Sequence, residues 1–82
     1  MVISVLSPDK EIFTGEIQSV KVPGVTGQFE ILQNHAPIVS ALTEGSVRIR
    51  KVSGEDIIFQ ITKGFIEVLR NEVSLLVQGV KD

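Results

Sequence analysis

Cysteine, tryptophan and tyrosine are absent from this 82-residue chain, and histidine occurs once. Without cysteine there are no disulfide staples, thiolate zinc sites or cysteine nucleophiles, and the composition fits a reducing compartment. A single histidine, His35, leaves no multi-histidine metal site and no catalytic triad that needs a histidine elsewhere. Long apolar runs are missing too. None exceeds three residues, against the ~20 that cross a bilayer as a helix. The start, Met1-Val2-Ile3-Ser4-Val5, lacks the basic and long apolar segments of a signal peptide and the Arg/Ser-rich pattern of a transit peptide. Eight Lys and Arg against ten Asp and Glu give a net charge of −2, with a pI near 5.3. That balance argues against a life on nucleic acid or anionic lipid. The expectation is a soluble intracellular domain.

What is present points to strands. Apolar residues make up 43% of the chain, and 22 of the 35 are Val or Ile. Branched Cβ atoms lose rotamer freedom in a helix and pack well on a pleated sheet. The size fits a single domain over residues 1–82. Area scaling gives ~4,800 Å² folded against ~12,900 Å² unfolded, enough for one modest core. Breakers recur at Ser7-Pro8-Asp9, Thr14-Gly15, Pro23-Gly24, Gln33-Asn34, Glu44-Gly45, Ser53-Gly54, Lys63-Gly64, Arg70-Asn71 and Gly79. That beat, with each residue favouring turns for its own reason, predicts many short strands in an all-β sandwich or barrel.

Between breakers the apolar period is two. Val20 and Val22 flank Lys21, Val47 and Ile49 alternate with Arg48 and Arg50, and Ile57, Phe59 and Ile61 share one face. Ile66 and Val68 bracket Glu67, while Val73, Leu75 and Val77 fall on a common side. Two antiparallel sheets packed face to face use this pattern, each strand burying one face. Ser53-Gly54 and Asn71 read as hairpin turns. Residues 34–42 leave a short helical turn and a bent edge strand equally open, because Pro37 interrupts the rhythm.

No site for chemistry stands out, and no catalytic residue, cofactor or metal is expected. The carboxylates are scattered over separate turns; Glu55 and Asp56 are adjacent, but alternation aims them at opposite faces. Gly24 and Gly27 lack the Gly-Lys-Ser/Thr and helix start of a phosphate cradle. Arg48, Arg50 and Lys51 form a small basic cluster without the aromatic platforms that single-stranded nucleic acid requires. Lys63, at an expected hairpin tip, invites comparison with biotin or lipoate carrier domains, yet Thr62 and Gly64 do not reproduce their contexts. Ala36, Pro37, Ile38 and Val39 predict an exposed apolar strip, which on a soluble domain marks a partner surface.

The order of motifs is more specific than any one of them. Phe13-Thr14-Gly15-Glu16-Ile17, Val22-Pro23-Gly24, Gly27-Gln28-Phe29-Glu30-Ile31-Leu32, His35-Ala36-Pro37, Leu42-Thr43-Glu44-Gly45, Lys63-Gly64-Phe65-Ile66-Glu67-Val68 and Val73-Ser74-Leu75-Leu76 together resemble the epsilon subunit of bacterial F-type ATP synthase. The resemblance implies a flattened sandwich of about ten short, mostly antiparallel strands in two sheets. It implies a non-catalytic rotor subunit of the central stalk that binds the gamma subunit, contacts the c-ring and couples proton-driven rotation to ATP synthesis. Such a subunit lies peripherally at the cytoplasmic face of the bacterial inner membrane, held there through the complex. By motif, Ser7, His35 and Ser40 match the gamma-facing side, to which the strip Ala36-Pro37-Ile38 adds. Gly27-Gln28-Phe29-Glu30 matches the loop that meets the polar loops of the c-ring. The chain departs from the family at Glu30, where Gly is common, and at Gln33-Asn34, where Pro-Gly is common. It is also expected to lack the C-terminal helical hairpin through which many members restrain ATP hydrolysis. The alternative is a stand-alone β-sandwich carrier or ligand-binding module.

Overall fold

A computed structural model describes residues 1–81. Eight strands follow one another: β1 (Val2–Leu6), β2 (Glu11–Gly24), β3 (Gly27–Ile31), β4 (Ile38–Leu42), β5 (Gly45–Lys51), β6 (Asp56–Ile61), β7 (Lys63–Leu69) and β8 (Glu72–Gln78). Among the described residues there is no helix. The strands form a β-sandwich. One layer is ordered β1-β8-β7-β4; the other places β2 between β3 and β5, with β6 outside β5. Every pairing between strands is antiparallel except β1 with β8.

The count falls below ten because one strand serves both layers. β2 is 14 residues long. Its first half pairs with β1 and its second with β3 and β5. Thr14 and Gly15, expected as a turn, lie inside it opposite Ser4 and Ile3. The Phe13 ring packs over Gly15, its tip 3.2 Å from where a Cβ would lie. Between Ile17 and Ser19 the register shifts by a bulge. The bulge resets the inward phase, so Ser19 and Val20 are buried in succession.

Alternation places the core where the sequence predicts it. Val20, Val22, Phe59, Ile61, Val73, Leu75 and Val77 are buried, joined by Ile3, Val5, Ile17, Ile31, Val47, Ile49, Ile66 and Val68. Ile57 is half-buried against this cluster, because β6 ends its layer. The Ser53-Gly54 turn joins β5 to β6, and Arg70-Asn71 joins β7 to β8 with φ of 52° and 64°. Lys63 does not cap a hairpin. It opens β7, opposite Gln78, immediately after Thr62 carries the chain from one layer to the other. Residues 34–42 resolve as a turn and then a strand at the edge of its layer: Asn34 sits at φ 61°, and β4 pairs along its length with β7 but with β2 only at Leu42, opposite Gly24.

Candidate functional site

The two outer faces of the sandwich differ in chemistry. On β1-β8-β7-β4, the register sets Leu6 beside Leu76, Leu76 beside Phe65, and Phe65 beside Ala41. This is an apolar row across four strands, with Phe65 and Leu76 each about half exposed (53% and 51%). The next row holds Ser4, Ser74, Glu67 and Val39, and Val39 is the most exposed large apolar residue at 65%. A groove of about 670 Å³ opens along this face between Leu6, Pro8, Ala41, Phe65 and Leu76.

The opposite face is charged and internally paired. Arg48 reaches across Lys21 to donate from Nη2 to Glu30 at 2.8 Å. Arg50 grips Asp56 with two bonds, 2.9 and 3.1 Å, and Lys51 lies 3.5 Å from Glu55. Each member of the basic cluster thus has its own carboxylate, which removes the positive track a nucleic acid would follow. The Arg50 hydrogen bonds hold the Asp56 carboxyl below its ordinary value against the opposing effect of desolvation, and Asp56 in turn raises Arg50. Among the described residues, no group of three or more His, Asp or Glu side chains is placed to hold a metal ion. No helix there is long and apolar enough to cross a membrane.

The residues matched to gamma contact fall on the apolar layer. Ser7 follows β1 at the groove, its Oγ donating to Asp9 Oδ1 and Lys10 O at 3.3 and 3.2 Å. His35, Ala36 and Pro37 lead into the other end of β4, and the His35 Nδ1–H donates to Ala36 O at 2.7 Å. The apolar strip needs correcting within β4. Ile38 pairs with the buried Val68 and Ser40 with the buried Ile66, so both turn inward and are only partly accessible. The exposed residues of that stretch are Ala36, Pro37 and Val39. The period of two decides this: successive residues of a strand cannot share a face.

The residues matched to the c-ring lie on the other layer, at the start of β3. Val25 and Thr26 form the tip, with Gly24 paired to Gly27. Gly24 has to be glycine, because a Cβ there would lie 2.7 Å from both Gly27 O and the Phe29 ring. Gly27, Gln28 and Glu30 are exposed, whereas Phe29 packs half-buried against the core. Thr43 N–H donates to Pro23 O at 2.9 Å, tying this tip to the end of β4 nearest the groove.

Sequence reasoning missed Leu6, Phe65, Leu69 and Leu76 as surface residues, although a signal existed. Val5-Leu6, Phe65-Ile66, Val68-Leu69 and Leu75-Leu76 are adjacent apolar pairs inside period-two strands. In each, one member must face outward. Leu6, Leu76 and Phe65 align in the apolar row, whereas Leu69 lies at the far end of β7, opposite Glu72.

Comparison with known proteins agrees with the fold. A chain of the Euglena gracilis mitochondrial ATP synthase superposes with a TM-score of 0.91 at 18% identity, covering 99% of this chain and 52% of that one. A chain from the central stalk and c-ring of the Tetrahymena thermophila mitochondrial ATP synthase gives 0.85, again at 18% identity, covering 99% of this chain and 65% of the other. In sequence, the ATP synthase epsilon chain of Chlorobaculum tepidum is 41% identical over 78 residues, 95% of this chain and 89% of that protein. The epsilon chain of Thermosynechococcus vestitus is 40% identical over 81 residues, and there the match spans 58% of the relative's length. The family model for the ATP synthase delta/epsilon chain β-sandwich domain matches residues 1–81. With register, core and motifs in agreement, this chain belongs to the ATP synthase delta/epsilon chain family, as its β-sandwich domain.

Proposed function

We propose that this chain is a non-catalytic subunit of the ATP synthase central stalk, docking on gamma through the outer face of β1-β8-β7-β4 and meeting the polar loops of the c-ring with the β2–β3 tip. The observation that carries the reading is the asymmetry of the two faces. Leu6, Leu76, Phe65 and Val39 are exposed and, with the half-buried Ala41, form a contiguous apolar band, and such a patch on a small domain marks a partner surface. Ser7 and the His35–Pro37 segment flank it at opposite ends.

The tip has a different character. Gly27, Gln28 and Glu30 are exposed, and Glu30 is neutralised by Arg48. Val25 at the apex is exposed (61%), and the polar groups around it suit short polar loops better than a lipid surface. Attached in this way, the domain transmits rotation between ring and stalk, and proton-driven rotation is coupled to ATP synthesis without a reacting group on this chain. It sits at the cytoplasmic face of the bacterial plasma membrane, held there by the complex. The carrier reading is disfavoured by Lys63, which opens a paired strand and does not top a hairpin.

Titration of the purified gamma subunit into this protein tests the proposal. Leu76→Asp should abolish binding while leaving the circular dichroism spectrum intact, because Leu76 faces outward. Glu30→Gln should leave gamma affinity unchanged. Full affinity in Leu76→Asp would overturn the assignment of the docking face.

A further inference from the structure

The gamma-facing loop is tied to a turn far away in the sequence. Asn71, in the β7–β8 hairpin, accepts the Asn34 N–H on its Oδ1 at 2.8 Å across 37 residues of chain. Its Nδ2 donates to Gln33 Oε1 at 3.3 Å. That same oxygen accepts the Met1 ammonium at 3.1 Å, and Gln33 Nε2 donates to Ile17 O at 3.0 Å. The backbone joins in: Val2 N–H donates to Asn71 O at 3.2 Å, and His35 N–H to Leu32 O at 3.2 Å. Asn71 therefore fastens the turn at residues 33 and 34 to the end of the sandwich by two side-chain bonds, immediately before His35, Ala36 and Pro37.

A hairpin turn does not need this side chain. Asn71 holds φ at 64°, which glycine adopts at least as easily. An aspartate would keep the acceptor for Asn34 N–H but could not donate to Gln33. Backbone geometry and the clamp are thus separable by substitution. We propose that Asn71 is a positioning residue: it holds the 33–34 turn so that the His35-Ala36-Pro37 segment is presented in one conformation to gamma. The inference rests on the gamma-docking reading above. A loop already fixed in its bound shape has less ordering left to lose on association, which raises affinity without adding a contact.

Hydrogen exchange resolved at single amides, together with gamma titration, tests this on the intact chain. In Asn71→Gly, exchange at the Asn34 amide should accelerate at least about tenfold, while Ile66 and Leu75 in the strand ladder change little. Gamma affinity should fall about tenfold. Asn71→Asp should retain the Asn34 protection and most of the affinity, a rescue that a purely structural turn residue would not produce. Uniform acceleration of every amide in Asn71→Gly would overturn the proposal, since the residue would then serve overall stability alone. So would an Asn34 amide that stays protected. If Asn71→Gly frees Asn34 but binds gamma normally, while Leu76→Asp does not bind, the clamp has no positioning role and the docking face stands. If Leu76→Asp also binds normally, it is the docking face that falls.

Discussion

Two phenylalanines on neighbouring strands of the chain should answer truncation in opposite ways. Phe59, on β6, is 3% exposed and belongs to the central cluster; Phe65, on β7, is 53% exposed beside Leu76 and Ala41. Removing the Phe59 ring forfeits its transfer free energy and leaves a cavity that a close-packed sandwich can only partly collapse, so Phe59→Ala should cost about 3–5 kcal/mol. A domain of this size has roughly 4–12 kcal/mol in total, at about 0.05–0.15 kcal/mol per residue. Phe59→Ala therefore removes a large share of the stability. Phe65→Ala loses only cross-strand contacts on the surface, about 0.2–1 kcal/mol. Urea denaturation followed by circular dichroism reads the difference. With a slope of about 1–3 kcal/mol/M, the Phe59→Ala midpoint should drop by at least ~1 M and that of Phe65→Ala by much less. Gamma titration should invert the ranking. Phe65→Ala weakens binding by roughly 30-fold if the ring is an anchor of about 2 kcal/mol, and folded Phe59→Ala binds normally. Equal midpoints for the two variants would refute the assignment of faces from strand alternation.

Gly64→Ala should be destabilising by about 1–3 kcal/mol, the ordinary cost of overpacking, because its Cβ would lie 2.5 Å from Leu76 O; thermal unfolding checks this, and a wild-type melting temperature would contradict it. Asp56 supplies a pH dependence. Its folded pKa is depressed by Arg50, so the pair's contribution is present above the unfolded carboxylate value and is lost as pH falls through the folded one. The melting temperature of Asp56→Asn should then approach that of the unaltered protein in acid, and a gap that stays constant down to low pH would exclude the linkage. Residues 1–82 are further expected to leave the ATPase rate of the catalytic complex within about twofold and to give no calorimetric signal with ATP. Strong inhibition or micromolar ATP binding would place regulation in the sandwich itself.

Which residues make strands, and which side of most strands is buried, was legible in the sequence. A period of two in Val47–Ile49, Phe59–Ile61, Ile66–Val68 and Val73–Val77 depends only on the geometry of an extended backbone and on the cost of leaving branched apolar side chains in water. The hairpins at Ser53-Gly54 and Arg70-Asn71 were equally local, since left-handed backbone selects its residue types. The ordered motifs went further and identified the family. Partnership between distant segments was another matter. Nothing local announces that β1 lies parallel to β8, that 14 residues of β2 feed both layers, or that Lys63 begins a strand at the crossing between them. The apolar band exists because pairing aligns Leu6, Leu76, Phe65 and Ala41 from four separate strands. Register likewise turned Ile38 inward and left Val39 outside, brought Arg48 to Glu30 over an intervening strand, and carried Asn71 to Asn34. Alternation is fixed by neighbours along the chain; juxtaposition across a sheet is chosen by the packing of the whole domain, and only the tertiary structure contains that choice.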